Sequence, residues 1–152
     1  MVIRAARPDE AAELSALAWR SKQYWGYSSE VMRGWSAALH ISAVDIAAHA
    51  TYAAEEDGEL VGCYALMKAQ PAWQLEHFWV DPGRMGRGIG RALVEHAIGI
   101  ARQGGVKSIA IDADPNAEAF YLACGAKRVG EIAAPIPNEP GRVRPQLVLE
   151  LA

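Results

Sequence analysis

A mixed α/β sheet with helices on its faces is the fold this sequence predicts, and three observations predict it. Strand-like apolar runs alternate with segments whose apolar residues recur at helical spacing. An Asp57-Gly58 pair divides one long apolar run into a hairpin. The strand-like run ending at Val80 feeds a long amphipathic segment through a loop with glycine at 83, 86, 88 and 90. At 152 residues and 51% hydrophobic, the chain suits one domain, spanning 1–152, with a substantial core.

The elements follow in order. "VIRAA" reads as a short strand. Pro8, Asp9 and Glu10 then open a helix, with proline early and acids in the first turn where they suit the helix dipole. Ala11, Leu14, Leu17 and Ala18 recur at helical spacing, and the segment runs out near "SKQYWGYSSE". Ser28 or Ser29 caps a second helix through Val31, Met32, Trp35 and Leu39. "TYAAEEDGELVGCYALM" is the hairpin. "AWQLEHFWV" is the next strand, with Leu75, His77 and Trp79 on one face and Glu76, Phe78 and Val80 on the other. After the glycine loop, Leu93, Ala97, Ile100 and Ala101 form one helical stripe, stopped by Gly104 and Gly105. "VKSIAIDA" reads as a strand buried on both faces. Asp114 caps the next helix, Pro115 takes its first position, and Gly125 ends it. A strand, a proline-rich loop from 135 to 145 and a last strand close the chain, and no repeat or linker interrupts it.

Composition excludes several classes of function. A net charge of −3 without a basic stripe argues against nucleic acid and leaves small molecules or proteins as partners. The N-terminus lacks the apolar core of a signal peptide and no run is long enough to span a bilayer, so a cytoplasmic location with no membrane partner is expected. Cys63 and Cys124 read as small hydrophobes, and His40, His49, His77 and His96 lack ligand spacing, so no metal is expected.

A strand that enters a helix through glycines presents backbone N–H groups at the positive end of the helix dipole, which is an anion site. The dinucleotide fingerprint fails here because its third glycine is Arg91 counting from Gly88, or Leu93 counting from Gly90. The P-loop fails because no glycine precedes Lys and then Ser or Thr. What remains is "GRGIG", flanked by Arg84, Arg87 and Arg91, as a candidate pyrophosphate loop; glycine needed only for shape is the plain alternative.

"VDPGRMGRGIGRALVEHA" followed by "KSIAIDADPNAEAFYLACGAKRVGE" resembles the GNAT superfamily of acyl-CoA-dependent N-acetyltransferases, in the loop and in the asparagine-to-tyrosine helix. The likeness spans 60 to 131, and "VIRAARPDEAAEL" also looks like the family's first strand and helix. It implies a mostly antiparallel central sheet with helices on both faces and a splayed strand pair at the coenzyme site. Acetyl-CoA is then the co-substrate. The main chain at Phe78, Trp79 and Val80 pairs with its pantetheine arm, and Met85, Gly86, Arg87, Gly88, Ile89, Gly90 and Arg91 hold its pyrophosphate. Met85 stands where the family usually has Gln or Arg, which leaves charge compensation to Arg84, Arg87 or Arg91.

The same resemblance implies that Asn116 contacts the coenzyme and that Tyr121 protonates the leaving thiolate. Tyr121 also suits a core aromatic, and Asn116 a local cap. Glu76 is the candidate base on the strand the family uses, with His77 and a water chain as alternatives. Trp25 and Tyr27, flanking Gly26, are candidate acceptor contacts, because ring faces attract ammonium groups; Trp35 reads as helix packing. Arg142 and Arg144 read as solvated, with a substrate carboxylate as the other option. The expected function is direct transfer of an acetyl group to a primary amine of a small molecule or peptide terminus, since Cys124 has no base within its helix to support a covalent route. A non-catalytic acyl-CoA sensor is the alternative. A homodimer is compatible with the sequence, which fixes no interface.

Overall fold

The computed structural model describes residues 1–151. Its strands are β1 (Val2–Ala5), β2 (Ala50–Glu56), β3 (Glu59–Met67), β4 (Trp73–Val80), β5 (Ser108–Asp112), β6 (Lys127–Ala133) and β7 (Val143–Glu150). The helices are α1 (Ala11–Gln23), α2 (Ser29–Gly34), α3 (Ser36–Leu39), α4 (Ala43–Ala48), α5 (Ile89–Gln103) and α6 (Glu118–Ala123). The strands make one seven-stranded sheet ordered β1-β2-β3-β4-β5-β7-β6. Only β4 and β5 run parallel; every other neighbour is antiparallel. This is the mixed, mostly antiparallel sheet expected.

Each face of the sheet carries its own core. On one side α5 lays Ile89, Leu93, Val94, Ala97 and Ala101 against Tyr64, Leu66, Ile109, Ile111 and Leu147. On the other, Leu14, Leu17 and Ala18 of α1 and Met32, Leu39 and Ile46 of the following helices cover Ala53 and Cys63. Asp57 and Gly58 both have positive φ, 51° and 79°, as the hairpin between β2 and β3 requires. No helix among the described residues is long and apolar enough to cross a membrane.

Four local expectations are corrected. The second helix is two: Ser28, not Ser29, caps α2, and Trp35, at φ −100° and ψ 4°, breaks it from α3. A further helix, α4, begins at a capping box in which Ser42 and Asp45 bond each other's main chain, at 3.0 and 3.4 Å. β5 is not buried on both faces, because Ile109 and Ile111 are buried while Ser108 and Ala110 are half-buried. In β4 the simple alternation fails. Leu66 pairs with Leu75 but Ala65 pairs with His77, so Glu76 is the extra residue of a β-bulge. Leu75 therefore joins the α5-side core with Phe78 and Val80, while Trp79 packs on the α1 side.

Two stability predictions follow from this packing. A Cβ added at Gly104 would lie 2.3 Å from the buried Trp73 ring. Gly104→Ala is expected to destabilise the protein by about 1–3 kcal/mol, read as a lower urea midpoint. Arg4 meets Glu10 through two hydrogen bonds of 2.9 and 2.8 Å, and the Arg7 N–H adds a third of 2.8 Å. The Arg4 bonds, against the cost of burial, hold the Glu10 carboxyl down to about 2 from an ordinary 4.5. A carboxyl lowered in the folded state stabilises above its unfolded pKa and loses that contribution as pH falls through the folded one. Glu10→Gln is thus expected to cost roughly 2 kcal/mol above about pH 5, a difference that vanishes towards pH 2.

Candidate active site

The parallel pair opens where it is needed. β4 and β5 are bonded only from Trp73–Leu75 to Ile109–Ile111. Beyond Leu75, β4 continues to Val80 with β3 on one edge and, among the described residues, no strand on the other. A cleft of about 550 Å³ fills that opening, and Glu76, Phe78, Trp79 and Val80 form its β4 wall.

The glycine loop closes one end. Gly86 and Gly88 adopt φ of 81° and 82°, which L side chains rarely tolerate. Gly88 caps α5, and the first helical bond runs from the Ala92 N–H to the Gly88 carbonyl at 3.0 Å. The N–H groups ahead of Ala92 in that first turn have no helical carbonyl to bond and form the positive end of a 15-residue helix. Gly90 serves packing instead: a Cβ there would lie 3.0 Å from two ring atoms of Phe120. At Gly83 the nearest atom to such a Cβ is 3.7 Å away, so nothing in the loop demands glycine there.

The loop's arginines divide. Arg84 is held by Asp81 at 2.7 Å and by Glu59, and Arg87 reaches back to Glu56 at 3.4 Å and does not line the cleft. Arg91 lines it and pairs with no carboxylate among the described residues; its guanidinium donates to the Ala123 carbonyl at 3.2 Å. Met85 and Ile89 add apolar wall.

Packed against the start of α5 through Phe120 and Ala123, α6 brings Tyr121 to the cleft. The residue is only 6% exposed, with its ring edge-on to Phe78 and Phe120 at 5.7 and 5.3 Å. Among the described residues its hydroxyl has no hydrogen-bond partner. Burial, with Cys124 and Asp114 adding to it, pushes its pKa up, so the phenol stays protonated at neutral pH. Asn116 donates to Asp114 Oδ1 from its main chain at 2.8 Å and from its side chain at 3.0 Å, and to the Tyr27 hydroxyl at 3.1 Å.

Three carboxylates line the cleft, and two are occupied. Asp112 takes Arg144 at 2.8 and 3.1 Å, and Asp114 takes Lys22 Nζ at 2.6 Å. Glu76, exposed at its bulge, has no ion-pair or hydrogen-bond partner among the described residues. His77 turns to a neighbouring pocket with Asp45, His49 and Thr51, which Glu76 borders as well. Its Nδ1 accepts from Trp79 Nε1 at 3.0 Å and burial lowers its pKa, so the neutral ring carries its proton on Nε2.

Beside the cleft lies a network that spacing did not announce. The Tyr27 hydroxyl donates to Asp114 Oδ2 at 2.8 Å and accepts from Arg142 Nη2 at 3.2 Å. Burial is the main reason its pKa is pushed up to about 12. Burial works to raise the Asp114 pKa, but Lys22, the Asn116 N–H and Tyr27 together outweigh it and hold the group ionised. Lys22 and Arg142 both sit over the rings of Tyr27 and Trp35. Tyr27 therefore stands one layer behind the cleft, whereas Trp25, 39% exposed, is at its mouth. Arg142, expected in solvent, is buried, with Nη2 donating to Tyr27 and Nη1 to the Ala134 carbonyl at 3.0 Å. Arg144 is closer to expectation, half-exposed on Asp112. Cys63 is buried and Cys124 half-buried, and both are free thiols. Among the described residues no group of three or more His, Cys, Asp or Glu is arranged to hold a metal ion.

Comparison with known proteins adds an independent line. The model of the acetyltransferase (GNAT) family matches residues 12–126. A blasticidin-S acetyltransferase of Streptomyces morookaense is 35% identical over 108 residues, 67% of this chain and 74% of that protein. A 5-NmdU N-acetyltransferase of Pseudomonas phage PaMx11 is 28% identical over 133 residues, 86% of this chain and 90% of that protein. In fold, the chain is similar to the PaiA N-acetyltransferase of Thermoplasma acidophilum, solved with coenzyme A, at a TM-score of 0.80 and 17% identity over 98% of each chain. It is equally similar to a GCN5-related N-acetyltransferase of Rhodopseudomonas palustris, at 0.80 and 24% identity over 99% of this chain and 95% of that one.

Proposed function

The chain belongs to the acetyltransferase (GNAT) family and is an acetyl-CoA-dependent N-acetyltransferase, and on that premise we propose that, as one domain over 1–152 acting in the cytoplasm, it moves the acetyl group directly to a primary amine of a small molecule or peptide terminus. One observation carries the proposal. The unbonded edge of β4, the free N–H end of α5 and the unpartnered Tyr121 hydroxyl converge on one cleft.

These groups fit the coenzyme by chemistry. Acetyl-CoA supplies an activated acetyl thioester whose leaving group is a thiolate. The open main chain over 78–80 offers strand-like hydrogen bonds to the amide-containing arm. The N–H groups of 86–91 and Arg91 take the pyrophosphate, with Met85 packing rather than pairing. Asn116, which lines the same cleft, contacts the coenzyme. Tyr121 gives its phenolic proton to the departing sulfur, for which a protonated, buried phenol is suited. Glu76, the unpaired carboxylate of the three, takes the proton of the acceptor ammonium; His77 has no lone pair free for that purpose. Trp25 borders the acceptor entrance, and Tyr27 supports it from behind. A covalent route through Cys124 is disfavoured because its thiol is half-buried, is not in the cleft, and has its pKa pushed up by burial.

The proposal is tested by thermal unfolding with acetyl-CoA, CoA, ATP or NAD, followed by CoA release with an amine panel. Binding at a hundredfold excess over Kd stabilises by about 2.7 kcal/mol, so both coenzyme forms should raise Tm while ATP and NAD do not. Release of CoA that depends on the added amine supports direct transfer. Release without amine, with an acetylated cysteine in the protein, would sink it.

A further inference from the structure

The charges around the cleft do not balance locally, and the imbalance has a direction. Arg144 and Asp112 close on each other through two hydrogen bonds of 2.8 and 3.1 Å. Asp114 alone faces two cations: Lys22 Nζ lies 2.6 Å and Arg142 Nη2 3.6 Å from the same Oδ2, which also accepts from Tyr27. Oδ1 is taken by Asn116. The Arg142 side chain is 4% exposed, and its Nε is buried with no partner. A buried charge is tolerated when it is paired, and the ring faces of Tyr27 and Trp35 offset only part of it.

One positive charge is thus in excess on the α1 side, and of the two cations only Lys22 lines the cleft. Its ammonium has three N–H bonds, and Asp114 is its one hydrogen-bond partner among the described residues. On the β4 wall, Glu76 is a carboxylate without a counter-cation. The cleft is therefore polarised, negative at Glu76 and positive at Lys22.

We propose that the acceptor is an amine that also carries an anionic group, a carboxylate or a phosphate, and that Lys22 binds that group while the amine faces Glu76. This rests on the acetyltransferase reading above and narrows its substrate class. Trp25, next to Lys22 at the entrance, covers the part of the acceptor between its two charges.

The test compares matched acceptors by CoA release. ω-Amino acids are set against their amides, and ω-aminoalkyl phosphates against the corresponding amino alcohols, with wild type, Lys22→Gln and Lys22→Arg. Wild type is expected to favour the anionic member of at least one series by about tenfold or more in kcat/KM, mainly through KM, as a charge-assisted contact allows. The series that shows the preference identifies the anion. Lys22→Gln should bring the members of each pair within about threefold of one another, while Lys22→Arg keeps the preference. Arg142 still neutralises Asp114 in the glutamine variant, so folding should survive. If that variant does not fold, the wild-type preference must instead fall as salt is raised.

Equal rates for both members of every pair in wild type, or a preference that survives Lys22→Gln, would overturn the inference while leaving the transferase reading intact. No CoA release with any amine would instead overturn the transferase reading. The subsite would then be judged by thermal protection in the presence of CoA, where equal protection by acid and amide overturns it.

Discussion

Tyr121→Phe is expected to lower kcat for CoA release by at least about 10²-fold while acetyl-CoA still protects the protein from thermal unfolding. The phenol is buried, its hydroxyl meets no acceptor among the described residues, and its pKa is pushed up by burial, so it is a proton donor held ready at neutral pH. Replacing a hydroxyl that faces the cleft without a protein partner by a ring edge of the same shape removes no hydrogen bond within the protein. The variant should be at least as stable as wild type. This separates chemistry from packing: a purely structural Tyr121 would shift Tm and spare kcat. The pH profile gives a second check. Because the tyrosine is raised above its ordinary value of 10, wild-type activity should show no loss from phenol ionisation below that pH. Unchanged kcat in Tyr121→Phe would remove the residue from the reaction and leave solvent as the proton source.

How much of this was legible in the sequence depended on the range over which each feature is determined. The Asp57-Gly58 hairpin, the stripe of α5 and the Asp114-Pro115 start before α6 were legible because each is set by residues within a few positions of one another. The four loop glycines were legible as a group but not in their separate roles. Gly86 and Gly88 answer to φ, whereas Gly90 answers to Phe120, thirty positions along the chain. The bulge at Glu76 could not be read from alternation, since one inserted residue depends on the partner strand β3. The same applies to the polar network. Lys22 and Asp114 lie 92 positions apart, and Arg142 joins them from the other side of the sheet order. α4 did leave a local signal, the Ser42 to Asp45 capping box, but with Asp in the place usually held by Glu or Gln.

The bulge also determines what removing the Glu76 carboxylate should do. By inserting one residue, it breaks the alternation that would have put Glu76 on the Phe78 side, and leaves it exposed at the cleft, where no cation neutralises it. A primary amine with a pKa near 10 is almost wholly ammonium at pH 7, so each turnover must shed a proton. Glu76→Gln keeps the shape and removes the carboxylate's charge and with it the capacity to take up a proton. With an alkylamine acceptor, kcat/KM is expected to fall by about 10²-fold near pH 7. The sign of the pH dependence is the discriminating feature. Above the acceptor's own pKa the amine arrives unprotonated, so wild type and variant should converge as pH rises towards 10. A deficit constant across the pH range would mean that Glu76 only binds the acceptor. No deficit at any pH would pass the proton to ordered water, and the unpaired carboxylate would then be a feature of the cleft's field alone.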